Sequence, residues 1–115
     1  MKHYRWSEIP EEQMNASTRR RYITADRVTV ARFEMQKGGV VPTHSHENEQ
    51  VTTVVSGALR FRFSDGEVVV RAGEVLQIPS WAEHAVDVLE DTVAIDVFSP
   101  VRADWINKTD SYFSR

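Results

Sequence analysis

From Val28 onward the chain alternates short β-rich runs with turn punctuation at Lys37-Gly38-Gly39, Ser56-Gly57, Asp65-Gly66, Ala72-Gly73, Pro79-Ser80 and Glu90-Asp91. Short strands at such regular spacing predict an antiparallel sandwich or barrel. Residues 1–26 are polar and mixed, with Trp6 and Ile9 as isolated apolar anchors, and read as an N-terminal arm. Residues 27–115 then form a single barrel domain. Its tail begins near Pro100, which stops the last strand, and carries Trp105, Tyr112 and Phe113. Within the arm, Arg19, Arg20 and Arg21 read as an exposed strand or an intersubunit contact. There is no internal repeat and no low-complexity segment.

Parity along the strands assigns faces, because residues paired across two strands point to the same side. With Ser56-Gly57 as a two-residue loop, Val54 meets Leu59, Thr52 meets Phe61 and Gln50 meets Phe63. With Asp65-Gly66 as the next loop, Phe63 lies beside Val68 and Phe61 beside Val70. The result is one largely apolar face that includes Gln50, with Arg60 and Arg62 opposite. In the stretch from residue 92 to 98, Val93, Ile95 and Val97 share one face and Asp96 and Phe98 the other. A barrel interior covers only one of these, so a second subunit is expected over the other, giving a homodimer. Asp96 turns inward only if residues 89–91 form an odd loop, which pairs Val88 with Thr92 and His84 with Asp96, or if a bulge interrupts this corner.

Length and charge narrow the function. A chain of 115 residues is one domain, and 14 basic against 17 acidic residues, net −3, supply no basic field for nucleic acid or anionic membranes. Without cysteine there are no disulfides, thiolate metal sites or thiol nucleophiles, so any metal sits on nitrogen or oxygen. No apolar run approaches the ~20 residues that span a bilayer, and residues 1–10 lack a signal-peptide core; the expectation is a soluble cytoplasmic protein.

The chemistry concentrates in four residues. His44 and His46 are two apart in an extended segment, leave one face and can share an ion. Gln50 would lie ~13 Å further along a straight strand, so the chain must turn at Glu47-Asn48-Glu49 to bring it back. His84 opens another strand after the Pro79-Ser80 turn. Such nitrogen and oxygen donors suit one divalent ion, Mn, Fe, Co, Ni or Zn, with positions left open for a small-molecule ligand.

These residues resemble both signature stretches of the cupin superfamily. In the first, Gly38 precedes His44-Ser45-His46, then Gln50 where Glu is usual, then Gly57; in the second, Gly73 precedes Pro79 and His84. The chain departs from the pattern at Gln50, at Trp81 in place of Gly, and at Val88 in place of Asn. The resemblance implies an all-β double-stranded β-helix, or jelly-roll, barrel with the metal inside one end. Replacing a carboxylate by the Gln50 amide leaves the ion its full charge, which favours an anionic ligand and a developing enolate. The KdgF-like branch, which linearises unsaturated uronates in pectin and alginate breakdown, is similar through residues 44–50 and through Asp96-Val97-Phe98-Ser99-Pro100-Val101-Arg102-Ala103-Asp104-Trp105. By that resemblance Asp96 is the catalytic acid/base and Phe98 and Arg102 line the pocket, Arg102 pairing with a substrate carboxylate; Phe61 and Trp81 join them as pocket residues. Cupins of the manganese hydroxynitrile lyase type share the three-His, one-Gln set. A lyase, a dioxygenase and a non-catalytic binding module therefore stand as alternatives.

Overall fold

The computed structural model describes residues 1–109, so Tyr112 and Phe113 lie outside the described residues. The strands are β1 (Glu12–Gln13), β2 (Thr18–Thr24), β3 (Thr29–Met35), β4 (Val40–His44), β5 (Glu49–Ser56), β6 (Ala58–Phe63), β7 (Gly66–Arg71), β8 (Val75–Ile78), β9 (His84–Val88) and β10 (Thr92–Ser99), followed by one helical turn, α1 (Ala103–Ile106). They form a six-stranded sheet in the order β1-β2-β3-β10-β5-β8 and a four-stranded sheet in the order β4-β9-β6-β7. Both are antiparallel, and their inner faces share one core. Strict alternation drives this burial: in β3, Thr29, Ala31, Phe33 and Met35 are buried while the residues between them are not. No helix among the described residues is long and apolar enough to cross a membrane.

The expected faces are present, but the pairings differ. Ser56-Gly57 is not a hairpin: β5 pairs with β10 and β8, whereas β6 pairs with β7 and β9 in the opposite sheet. Gly57 serves a close crossing as well as a turn. Its φ is +91°, and a Cβ there would collide with the Asp91 carbonyl oxygen. The β6–β7 loop is Ser64-Asp65, with Phe63 opposite Gly66, Phe61 opposite Val68 and Leu59 opposite Val70. This slip of two residues keeps every side chain on its expected face. Likewise β9 and β10 belong to different sheets, so neither Val88 with Thr92 nor His84 with Asp96 forms a pair. Asp96 turns inward because it sits opposite Ala31 and Thr52, both inward-facing.

The segment read as an arm also differs, since it supplies β1 and β2 to the larger sheet. Parity sends Thr18 and Arg20 inward; Arg20 is 1% exposed and pairs with Glu12 at 3.1 Å. Its guanidinium lies 4.1 Å from the centroid of Trp105, and that of Arg102 lies 4.4 Å from the same side chain. Outward-facing Arg21 donates to the carbonyls of Trp6 and Ile9 and holds the N-terminal stretch on the sheet. The arginine run is thus a structural strand that fastens both chain ends.

Candidate metal centre

A β-bulge aims His44. Val41 pairs with Val86 and His44 with His84, three residues on β4 against two on β9, so Val41 and His44 both face inward. Pro42 inside the bulge has no N–H to lose, and its carbonyl accepts from His44 Nδ1 at 2.9 Å. The chain then bends at Glu47-Asn48 before β5, as the spacing requires, and Gln50 Oε1 comes within 3.1 Å of His46 Nε2. His84 enters from the start of β9. One nitrogen from each of His44, His46 and His84 lies within 4.8 Å of the others.

The hydrogen bonds fix which nitrogens converge. Each Nδ1 faces a backbone carbonyl: Pro42 for His44, Asn48 for His46 at 3.0 Å, and Ala82 for His84 at 2.8 Å. An Nδ1–H donated to a carbonyl leaves Nε2 with its lone pair, the tautomer that binds metals. Gln50 Nε2 in turn donates to Thr52 Oγ1 at 2.8 Å and to Asp96 Oδ2 at 3.4 Å, which turns Oε1 toward His46. Two lone-pair atoms, His46 Nε2 and Gln50 Oε1, then face each other at 3.1 Å. Such a pair calls for a cation, and the donor set fits one.

Electrostatics agree with this fit. Burial pushes His44 down to about 3, helped by the neighbouring His84, and His46 down to about 4, helped by Arg102; burial also lowers His84. All three are neutral near pH 7, the form that ligates. Asp96 moves the other way. Burial raises it to about 6, partly offset by Thr52 and the Arg102 charge, and its Oδ1 has no hydrogen-bond partner among the described residues. A carboxyl poised near neutrality beside a cation site is equipped to exchange a proton.

A cavity of about 40 Å³ brings His44, Gln50, His84, Asp96, Phe98 and Arg102 together, with Phe61 in its wall. Trp81 is absent from that lining and stands 65% exposed at the rim. Arg102 is 1% exposed, and its fork is engaged by Asp104, Nε to Oδ1 at 2.9 Å and Nη2 to Oδ2 at 2.6 Å. Its guanidinium stacks on Phe98, 4.7 Å from the centroid, as well as on Trp105. Sequence reasoning missed Asn48, which is 2% exposed and does more than turn the chain. Its carbonyl fixes His46, and its Nδ2 donates to the carbonyls of Pro100 at 2.5 Å and Val101 at 3.1 Å, tying the ligand loop to the C-terminal segment. An Asn between His46 and Gln50 was the available signal, but its partners Pro100 and Val101 are 52 and 53 residues away.

Known proteins share this frame. The pectin degradation protein KdgF of Dickeya dadantii (strain 3937) is 28% identical over 102 residues, which cover 86% of this chain and 93% of that protein. A solved structure of KdgF from Halomonas sp. superposes with a TM-score of 0.79 at 24% identity, covering 86% of this chain and 94% of the other. An RmlC-like cupin from Shewanella frigidimarina NCIMB 400 gives 0.82 at 22% identity, covering 91% and 96%. These two structures bear on the fold alone. Residues 31–98, more than half of the sequence and including all three clustered histidines, match the cupin domain family, and the chain belongs to that family.

Proposed function

We propose that this cupin is a metal-dependent enzyme that converts a cyclic 4,5-unsaturated uronate to its open-chain keto form. The observation that carries the reading is the placement of Asp96, buried, raised to about 6 and hydrogen-bonded through Oδ2 to Gln50, on the wall shared with the three-histidine cluster. The similarity to the pectin degradation protein KdgF supports the substrate class.

His44, His46, His84 and Gln50 would hold the ion, which supplies positive charge beside the reacting oxygens. The reaction is an isomerisation. The anomeric O–H loses its proton, the C1–O5 bond breaks as the C1 carbonyl forms, and the enol left at C5 becomes a ketone as C4 gains a proton. Asp96 accepts and returns that proton, and its raised affinity suits both directions. Arg102, its fork held by Asp104, acts on the substrate carboxylate as an oriented buried charge. Phe98 and Phe61 exclude water from the cavity wall.

The test is incubation of protein loaded in turn with Mn, Fe, Co, Ni or Zn with a 4,5-unsaturated uronate. Loss of the conjugated alkene absorbance and appearance of the keto form by NMR are expected with at least one ion and not after chelation. No conversion above the spontaneous rate with any of these ions would reject the reading.

A further inference from the structure

Two parts of the site stand outside the sheets and are held by few bonds. His46 lies in the loop between β4 and β5, and Pro100, Val101 and Arg102 follow the end of β10. The loop is tied to the neighbouring turn by Trp81 N–H, which donates to the His46 carbonyl at 2.8 Å, and by Ser80 Oγ, which donates to the Glu47 carbonyl at 2.5 Å. Its buried tie is Asn48, whose Nδ2 donates to the carbonyls of Pro100 and Val101, the two residues that precede Arg102. Arg102 N–H in turn donates to Thr29 Oγ1 on β3 at 2.9 Å. A chain of bonds thus runs from β3 through the Arg102 segment and Asn48 to His46.

His46 is sensitive to where that loop sits. It has an acceptor at each ring nitrogen, the Asn48 carbonyl at 3.0 Å from Nδ1 and Gln50 Oε1 at 3.1 Å from Nε2. A neutral imidazole carries one proton and satisfies one of the two. With the proton on Nδ1, the Nε2 lone pair and Gln50 Oε1 face each other and can share a cation. With the proton on Nε2, these two atoms are hydrogen-bonded to each other and closed to one. The position of the Asn48 carbonyl decides between the forms, and the Asn48 side chain sets that position.

We propose that Asn48 is a positioning residue that couples the cation site to the Arg102 segment. Its side-chain amide holds the backbone before Arg102, and its carbonyl, carried on the same residue, holds His46 in the tautomer that ligates. The inference needs the histidine cluster to take a cation and is independent of the uronate reading. Coupling of this kind is reciprocal: whatever loosens the Arg102 segment weakens the cation site, even from β3, which carries no histidine.

The test compares wild type with Asn48→Ala, Thr29→Val and the double variant, with zinc as the probe and heteronuclear NMR of the imidazole nitrogens in metal-free protein at pH 7. Asn48→Ala should shift His46 toward the Nε2–H form while His44 and His84 keep Nδ1–H. It should weaken zinc binding, measured by chelator competition, by about tenfold or more. Amide hydrogen exchange at Arg102 should quicken by about tenfold with the β3 and β10 amides unchanged. Thr29→Val should weaken zinc binding by about threefold, and adding it to Asn48→Ala should weaken it no further. A residue that only stabilised the fold would lower the urea midpoint and leave the His46 tautomer and the zinc affinity as in wild type, and that result overturns the coupling. So does a full Thr29→Val effect on zinc in the Asn48→Ala background. Should Asn48→Ala not fold, Thr29→Val decides: an unchanged tautomer and zinc affinity overturn the coupling, and a shift in both supports it. No zinc uptake by wild type overturns this inference together with the ligand assignment, whatever the fate of the uronate reaction.

Discussion

Acidifying the metal-free protein should unfold it through its histidines. His44 and His46 sit at about 3 and about 4 in the folded chain against an ordinary 6.5, and His84 is lowered as well. Folded pKa values below the unfolded ones mean that stability is present above pH 6.5 and is lost as the pH falls toward the folded values. Asp96 opposes this. Raised to about 6 from 3.8, it disfavours the fold most above pH 6 and progressively less down to about 4. Between pH 6 and 4.5 the unfolded chain therefore holds two to three histidine protons that the folded chain lacks, and the folded chain holds one carboxyl proton that the unfolded lacks. The net is one to two protons, or about 1.4–2.8 kcal/mol lost per pH unit. Below this window the lowered carboxylates Glu34 and Asp87 add to the loss. Urea midpoints of chelator-treated protein at steps from pH 7 to 4.5 measure it. Asp96→Asn removes the opposing contribution, so its slope should be steeper by about 1.4 kcal/mol per pH unit and its stability above pH 6 greater than that of wild type. A wild-type midpoint that stays flat or rises on acidification would show that the imidazoles are not desolvated as the fold implies.

Alanine at His46 or His84 should abolish most metal uptake by elemental analysis with the β-type circular dichroism retained; full occupancy would remove the ligand assignment. Asp96→Asn should keep the ion and lower turnover of the unsaturated uronate by roughly 100-fold or more, and unchanged turnover would exclude Asp96 as the acid/base. Gly57→Ala forces a Cβ against the Asp91 carbonyl and Thr92 at positive φ, so urea unfolding should show a loss of at least about 3 kcal/mol or no folded protein. The outward valines Val51, Val55, Val75 and Val97 are 37–62% exposed on one sheet face, and a second copy is expected to cover them. Sedimentation equilibrium at micromolar concentration should return twice the chain mass, and a monomer would refute this.

Side-chain faces were legible in the sequence and strand partners were not, for a physical reason. Gln50, Thr52, Val54, Leu59 and Phe61 lie inward as alternation requires, because parity survives any slip of two residues. A turn signal such as Ser56-Gly57 reports a change of direction, but it carries no information on whether the next strand pairs with the last or crosses to the opposite sheet. Arg20 was opaque because its burial is stabilised by Glu12 and Trp105, the latter eighty-five residues away. The convergence of His44, His46, Gln50 and His84 was legible because it is written in local spacing. The grip of Asp104 on Arg102 joins residues only two apart, yet nothing local distinguishes it from two solvated charges.

The strand order also sets a time at which the site exists. β9 lies between β4 and β6, and β10 between β3 and β5, so the last two strands in sequence are central in their sheets. They bring His84 and Asp96 to His44, His46 and Gln50, which were synthesised earlier. During translation His44, His46 and Gln50 emerge before His84, and each sheet waits as two separated parts with unpaired edges. If the cluster takes up an ion, its selection would belong to the chain with β9 and β10 in place: an ion met earlier in synthesis would find only part of the donor set.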